Sequence, residues 1–307
     1  MARLVFLGSP LAAVPTLRAL VDGGHDVCLV VSQPDRRRGR GAAVVPSPVK
    51  AVAADLGLPV TDDLHAAAGS GADLGVVVAY GRIVPGDLLQ QVPMVNVHFS
   101  LLPRWRGAAP VERAILAGDR WTGVTIMRME AGLDTGPLLA NRSVLIGEHE
   151  PAPVLTGRLA ELGARLLVQI LAGDPAALPP GEPQSGEPTY AAKLDPWEFQ
   201  LDWAQPAEHL ERVVRLGRAW TTWGGRRLRV LEAIVAPGPA SSGPGHEVHP
   251  GVLVERPGGG LSAGTGSGLL DLQVVQVEGR RPVAAVEWAR GVRLQPGDAF
   301  GAGPADG

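Results

Sequence analysis

The chain has 307 residues, 45% hydrophobic and 19% charged, with 41 glycines, 28 prolines, one cysteine and a formal net charge of −3. That length allows two ordinary domains with packed cores, and the near-neutral balance excludes a polycation, so a nucleic-acid surface would have to be a local patch. A lone Cys28 excludes an internal disulfide framework, and no apolar run approaches the ~20 residues of a membrane-spanning helix.

The opening MARLVFLGSP is broken too early for a signal peptide, so a soluble, cytoplasmic protein is expected. Residues 3–7 read as a strand ending in Gly8-Ser9-Pro10, and 12–22 as a helix stopped by Gly23-Gly24. A second strand spans 26–32 and places Cys28 in an apolar run, where a buried structural thiol is expected. A helix at 49–56 ends at Gly57, and Pro59-Val60 is a short strand. LGVVVA at 74–79 suits a central strand buried on both faces. The strand 94–98 follows, then a helix at 110–117, an alternating strand at 123–130 and an amphipathic helix at 153–171. Alternating strands and helices predict a doubly wound, mostly parallel α/β sheet, whose ligands bind beyond the carboxyl ends of the strands.

Composition changes after about residue 173. The stretch 174–187 (DPAALPPGEPQSGE) reads as a linker or extended excursion. A helix at 207–216 precedes short strands at 228–236, 251–254, 269–277 and 282–286, the pattern of a small barrel or sandwich. Residues 241–250 and 301–307 read as mobile segments.

Side chains two apart on a strand point the same way, so Asn96 and His98 project together where the fourth main strand ends. An amide can hydrogen-bond a developing oxyanion and an imidazole can move a proton, which suits chemistry at a carbonyl. Two polar residues capping a strand end would have the same spacing. Asp134 sits between glycines in GLDTG (132–136) and offers a carboxylate to orient an imidazole; an ordinary turn aspartate is the alternative. The loop 33–50 carries Arg36, Arg37, Arg38 and Arg40 and ends at Lys50. It is long for its place between strand and helix, and suits phosphate-backbone contact as well as plain solvation. Arg212, Arg215 and Arg218 recur every three residues, and no acid interrupts 212–229. An RNA surface and a solvated helix face both fit, and Trp220 and Trp223 could serve stacking or core. His246 and His249 lie in a Gly/Pro-rich loop and do not make a metal site; no Walker A or G-x-G-x-x-G sequence is present.

Together, FLGSP (6–10), SQPDRRRGRG (32–41), PSPVK (46–50), VVVAYGRIVP (76–85), NVHFSLLPRWRGAAP (96–110), TGVTIM (122–127) and GLDTG (132–136) resemble the methionyl-tRNA formyltransferase family. NVHxSLLPxxRG with a later DTG is common to transferases that use 10-formyltetrahydrofolate, while QPDRxxGRG…PSPVK and RWRGAAP narrow it to the tRNA enzymes. TYAAKL (189–194), LDW (201–203) and LERVVR (210–215) extend a thinner likeness into the second half.

The resemblance implies a Rossmann-like formyltransferase fold followed by a small OB-like β-barrel. It implies a catalytic domain over 1–188 holding 10-formyltetrahydrofolate, a linker over 189–206 and a tRNA-binding barrel over 207–307. Asn96, His98 and Asp134 would be the catalytic trio, acting without a metal or an acyl-enzyme as the methionyl amine attacks the formyl carbon. Folate would lie along Ala79, Tyr80, Gly81 and the loop Ser100, Leu101, Leu102, Pro103. Methionyl initiator tRNA would meet Arg36, Arg37, Arg38, Arg40 and Lys50, and Arg212, Arg215 and Arg218 in the barrel. A monomer is expected. An amino-sugar N-formyltransferase or a formyltetrahydrofolate hydrolase shares the trio and is the alternative; the arginine-rich loop and arginine run favour tRNA. Two departures stand out: Phe99 replaces the family's usual glycine, and GRAWT (217–221) replaces the usual Asn-Pro-Trp-Pro tract.

Overall fold

The computed structural model describes residues 1–37, 44–173, 178–236, 249–256 and 259–301, with the backbone alone at Arg36, Arg37 and Val44. Arg38, Arg40, His246, part of the 174–187 stretch, most of 241–250 and residues 302–307 lie outside the described residues. The chain forms two units: residues 1–114, 120–146 and 154–193, and residues 115–119, 147–153 and 194–307.

In chain order up to residue 193 the elements are β1 (Arg3–Gly8), α1 (Val14–Asp22), β2 (Asp26–Val31), β3 (Arg36–Arg37), β4 (Val44–Val45), α2 (Pro48–Asp55), β5 (Val60–Thr61), β6 (Leu74–Val78), α3 (Gly86–Gln91), β7 (Met94–His98), β8 (Arg106–Gly107), α4 (Pro110–Ala117), β9 (Trp121–Arg128), β10 (Leu138–Leu145), α5 (Ala152–Leu171) and β11 (Tyr190–Ala191). Seven strands form one sheet in the order β10-β9-β7-β6-β1-β2-β5. The pairs from β7 through β6, β1 and β2 to β5 are parallel. The β9 and β10 pairings are antiparallel.

The expected mostly parallel sheet is therefore present, with an antiparallel edge. The apolar run of β6 explains its central place, since all five of its residues are buried. Val5, Leu7, Val77 and Met94 pack on one face with Leu64, Ala67 and Leu88. At ~1.5–3 kcal/mol per fully buried aliphatic side chain, this packing stabilises the unit. Ser47 caps α2 by accepting the Lys50 N–H at 3.1 Å, with Pro48 at the first helical position. Besides the two-residue strands β3, β4, β8 and β11, the sequence reading did not foresee α3, which is only six residues long, or β10, which has polar residues at its centre and lies at the sheet edge.

The second unit contains α6 (Ala207–Arg215), β12 (Trp220–Trp223), β13 (Arg226–Val235), β14 (Leu253–Glu255), β15 (Leu261–Gly264), β16 (Leu269–Val277), β17 (Val283–Ala284) and α7 (Ala285–Val292). The six strands form an antiparallel sheet ordered β12-β13-β16-β15-β14, with β17 added to β16. Register shifts between Val230 and Ala233 help it curl into a half-barrel. Its core includes Trp203, Trp288 and Phe300, with Trp203 and Phe300 stacked at 5.1 Å between ring centres. The expected strand at 282–286 shrinks to β17, because Ala285, Trp288 and Ala289 follow helical spacing and are all buried.

The segment 189–206 is shared between the units. Tyr190 and Ala191 pair with Arg106 and Gly107 in the first, whereas Leu201 and Trp203 belong to the core of the second.

Candidate active site and the arginine surfaces

β7 alternates as its sequence requires. Val97 lies beside Gly163 of α5, and the Phe99 ring edge is 3.9 Å from where a Cβ on Gly163 would stand. Phe99 thus faces away from Asn96 and His98, into the sheet–helix core. His98 is 5% exposed at the strand end, level with Thr125 of β9, and Asn96 is level with Val77 of β6.

After β9 the chain doubles back, with Arg128 N–H donating to Pro137 O at 3.0 Å. Gly136 permits this closure, since a Cβ there would stand 1.9 Å from Arg128 O. The doubled loop brings Asp134 to β7. Asn96 Nδ2 donates to Asp134 Oδ1 at 3.4 Å, and His98 Nδ1 lies 3.7 Å from Asp134 Oδ2. The latter distance suits electrostatic pairing once the imidazole takes up a proton but is too long for a direct hydrogen bond. Gly107 N–H donates to Asp134 Oδ2 at 2.8 Å. Gly107 has φ +121°, a conformation that favours glycine, and a Cβ there would stand 2.8 Å from Ala191 O. Asp134 itself has φ +50° without being glycine, a strained conformation held by these contacts.

The other nitrogen of His98 is committed. Nε2 lies 2.8 Å from the carbonyl oxygen of Trp105, and a carbonyl only accepts, so Nε2 carries the hydrogen. Trp105 also has positive φ, +63°. Its N–H donates to Thr189 Oγ1 at 2.9 Å, and Arg106 N–H donates to Thr189 O at 2.8 Å. The segment ending in β11 therefore shapes the loop that sets the histidine tautomer.

The candidate folate-lining residues divide. Val77 is level with Asn96, so the chain leaves β6 beside His98 and turns through Ala79 (φ +46°) and Gly81 (φ +77°), both exposed. The Tyr80 side chain is buried in the core with Val5 and Leu7, and its carbonyl accepts from Gln33 Nε2 at 2.7 Å. Burial raises the Tyr80 pKa above its ordinary value of 10.0, against an opposing effect of Arg82. Ser100 is buried, with its hydroxyl donating to Arg104 O at 2.6 Å. Leu102 is buried, while Leu101 and Pro103 are half-buried. The Leu102–Pro103 peptide bond is cis.

The candidate RNA contacts divide as well. Arg36 and Arg37 lie on β3, which pairs with β4. Lys50 is paired with Asp35 at 2.8 Å. In the second unit, Arg215 is spent internally. Its guanidinium donates to Glu150 O and Gly147 O, both at 3.0 Å, and lies 3.6 Å from the buried Glu211 carboxylate, which also meets His149 at 3.1 Å. Arg212 packs over Gly118, and Arg218 lies over the Phe199 ring at 4.0 Å while staying exposed. Trp223 packs against Trp288, and Arg227 covers Trp220 at 4.0 Å.

Sequence reading placed Arg226 and Arg227 in the acid-free run 212–229 but missed that Arg280 and Arg281 join them in one group. They are exposed, and the start of β13 pairs with the end of β16. The antiparallel register, not sequence proximity, brings these arginines to the same end of the sheet. Gln184 was also missed. Its amide nitrogen donates to Asp134 O and Gly136 O at 2.8 and 2.9 Å, and its oxygen accepts from Arg106. Its place in a proline- and glycine-rich stretch gave no periodic signal. Among the described residues, no cluster of three or more His, Cys, Asp or Glu side chains could hold a metal ion, and no helix is long and apolar enough to cross a membrane.

Residues 2–171 match the formyl transferase family, and residues 193–293 match its C-terminal domain. The methionyl-tRNA formyltransferase of Jannaschia sp. (strain CCS1) is 43% identical, covering 96% of this chain and 98% of its own length. That of Heliobacterium modesticaldum is 42% identical, covering 97% and 100%. Among solved structures, an N-formyltransferase from Helicobacter canadensis in complex with folinic acid and dTDP-3-aminofucose superposes with a TM-score of 0.67 at 15% identity, over 89% of this chain and 99% of that one, a likeness of fold. With two near-full-length relatives above 40% identity and both domains matched, the chain belongs to the methionyl-tRNA formyltransferase family.

Proposed function

We propose that this chain transfers the formyl group of 10-formyltetrahydrofolate to the α-amine of methionyl initiator tRNA, at the end of β7. The observation that carries the reading is the convergence of Asn96, His98 and Gly107 on the Asp134 carboxylate in a chain with this family likeness. The reaction forms a C–N bond to the amine and breaks the bond from the formyl carbon to N10 of the folate. 10-Formyltetrahydrofolate supplies the activated formyl group. Asn96 has two amide hydrogens; with one directed to Asp134, the second suits the oxygen that gains charge as the amine attacks. His98 uses Nε2–H on Trp105 O, so the proton lost by the amine passes at Nδ1, beside the Asp134 carboxylate that compensates its charge.

The exposed backbone of Ala79 and Gly81 beside His98 fits the edge of a flat, hydrogen-bonding pterin. The buried Tyr80 and Ser100 side chains act by shaping that backbone. The 33–50 loop, with Arg36, Arg37, Arg38, Arg40 and Lys50, serves the acceptor end of the tRNA, and Lys50 would exchange Asp35 for phosphate. In the second unit the tRNA surface is best assigned to Arg218, Arg226, Arg227, Arg280 and Arg281. Arg215 serves the fold, and Arg212 lies between these roles. The protein acts as a cytoplasmic monomer, with the catalytic role assigned to residues 1–188 and tRNA binding to 207–307.

The test offers the purified protein 10-formyltetrahydrofolate with methionyl initiator tRNA or with an amino-sugar nucleotide. Formylmethionyl-tRNA is the expected product. Formylation of the sugar alone would move the reading to an amino-sugar enzyme. In the same assay, Arg40→Ala should impair use of tRNA while leaving folate binding unchanged.

A further inference from the structure

We propose that Gln184 is a positioning residue for the reaction, locking the Asp134 loop to the Arg106–Gly107 loop so that the Asp134 carboxylate stays against His98. The inference rests on the functional reading above and adds a residue outside the catalytic trio. The amide of Gln184 uses its full hydrogen-bonding capacity. Both Nε2 hydrogens go to the Asp134 loop, to Asp134 O at 2.8 Å and Gly136 O at 2.9 Å. Oε1 accepts twice from Arg106, from Nε at 3.1 Å and from Nη2 at 2.7 Å.

Arg106 immediately precedes Gly107, whose N–H holds the Asp134 carboxylate. Gln184 therefore grips both sides of that contact: the backbone of the acid and the side chain next to its donor. Asp134 gains from such support, because φ +50° is a sparsely populated conformation for a non-glycine residue.

The backbone carrying Gln184 is itself anchored on both sides. Two residues earlier, Glu182 exchanges hydrogen bonds of 2.7 and 2.8 Å with Leu138, just beyond the Asp134 loop. Five residues later, Thr189 holds Trp105 and Arg106. No other side chain offers two donors and two acceptors at this reach. Glutamate keeps the acceptors for Arg106 but, when ionised, turns a carboxylate toward two carbonyl oxygens.

The test compares Gln184→Met, which keeps the volume, with Gln184→Glu. Displacing a reacting group by ~1 Å can cost up to about a hundredfold in rate. The Met variant should lose at least about tenfold in kcat, with KM for both substrates within about twofold and melting near that of wild type. Activity of the Glu variant, as a ratio to wild type at each pH, should rise as the pH falls and the introduced carboxyl gains a donor proton. A kcat within about twofold of wild type, a loss confined to KM, or a flat ratio across pH would overturn the proposal. A substrate-independent readout separates it from the functional reading: the ring ¹⁵N shifts of His98, assigned with His98→Gln, should move in the Met variant without substrate. If they move while the wild-type protein does not formylate methionyl-tRNA, the acceptor is wrong and the positioning role stands. Unmoved shifts would overturn the positioning role.

Discussion

The end of β7 and the arginine run of the second unit are both dense in polar side chains, yet they use them differently. At β7 the strand, the Asp134 loop and the Arg106 loop bring a buried imidazole, an amide and a carboxylate together. In the second unit, Arg215 directs its guanidinium to Gly147 O, Glu150 O and Glu211, and Arg229 donates to Gln276 and Gly217 O. A polar residue is available for a substrate only when its own chain leaves it a hydrogen-bonding group to spare or a partner it can exchange. Residue type and spacing do not decide this; the partners supplied by distant segments do.

The sharpest way to break this contrast is at Asp134. Asp134→Asn keeps the size but removes the charge beside His98, and kcat should fall by about 10²–10⁴ while tRNA affinity stays within twofold. A wild-type rate would reduce Asp134 to a turn residue. Next in size is Arg215→Ala. It leaves Glu211, at 7% side-chain exposure, without its guanidinium, so stability should fall by about 3 kcal/mol in denaturant melts. Its salt dependence of tRNA binding should match that of wild type, whereas a changed slope would return Arg215 to the RNA surface. Arg226→Ala combined with Arg281→Ala should do the reverse. Stability should change by no more than about 0.5 kcal/mol, while the slope of log K against log salt falls by up to about 0.7–0.9 per lost phosphate contact. An unchanged slope would place these arginines outside the interface.

The smallest effect asks whether burial also governs ionisation away from the site. His25 has its pKa lowered by burial, with the positive chain terminus adding to it, and its Nδ1 is buried without a partner among the described residues. The unfolded chain takes up that proton first, so stability falls as pH drops below 6.5. Denaturant melts at pH 7.5 and 5.5 should show a smaller acid loss in His25→Gln than in wild type; equal losses would remove His25 as the cause.

Much of the first unit was legible because its signals are local. Period-two alternation put Asn96 and His98 on one side of β7, and the unbroken apolar run of β6 placed it at the sheet's centre. The inward turn of Tyr80 and Ser100 could not be read, since loop side chains have no periodicity to fix their direction. Gln184 and Thr189 were hidden for another reason: their partners lie 48–50 and 84 residues away in sequence. Likewise, Arg215 has the spacing of an exposed helix residue, and only the 147–150 segment, more than sixty residues earlier, turns it into a structural group.

The central claim is that formyl transfer runs on Asn96 and His98 at the end of β7. Single-turnover transfer from 10-formyltetrahydrofolate to methionyl initiator tRNA, measured for wild type, Asn96→Ala and His98→Ala at saturating substrates, tests it most directly. The account predicts formylmethionyl-tRNA from wild type and losses of at least about a hundredfold in both variants, with tRNA binding retained. Transfer at near wild-type rates in either variant would contradict it.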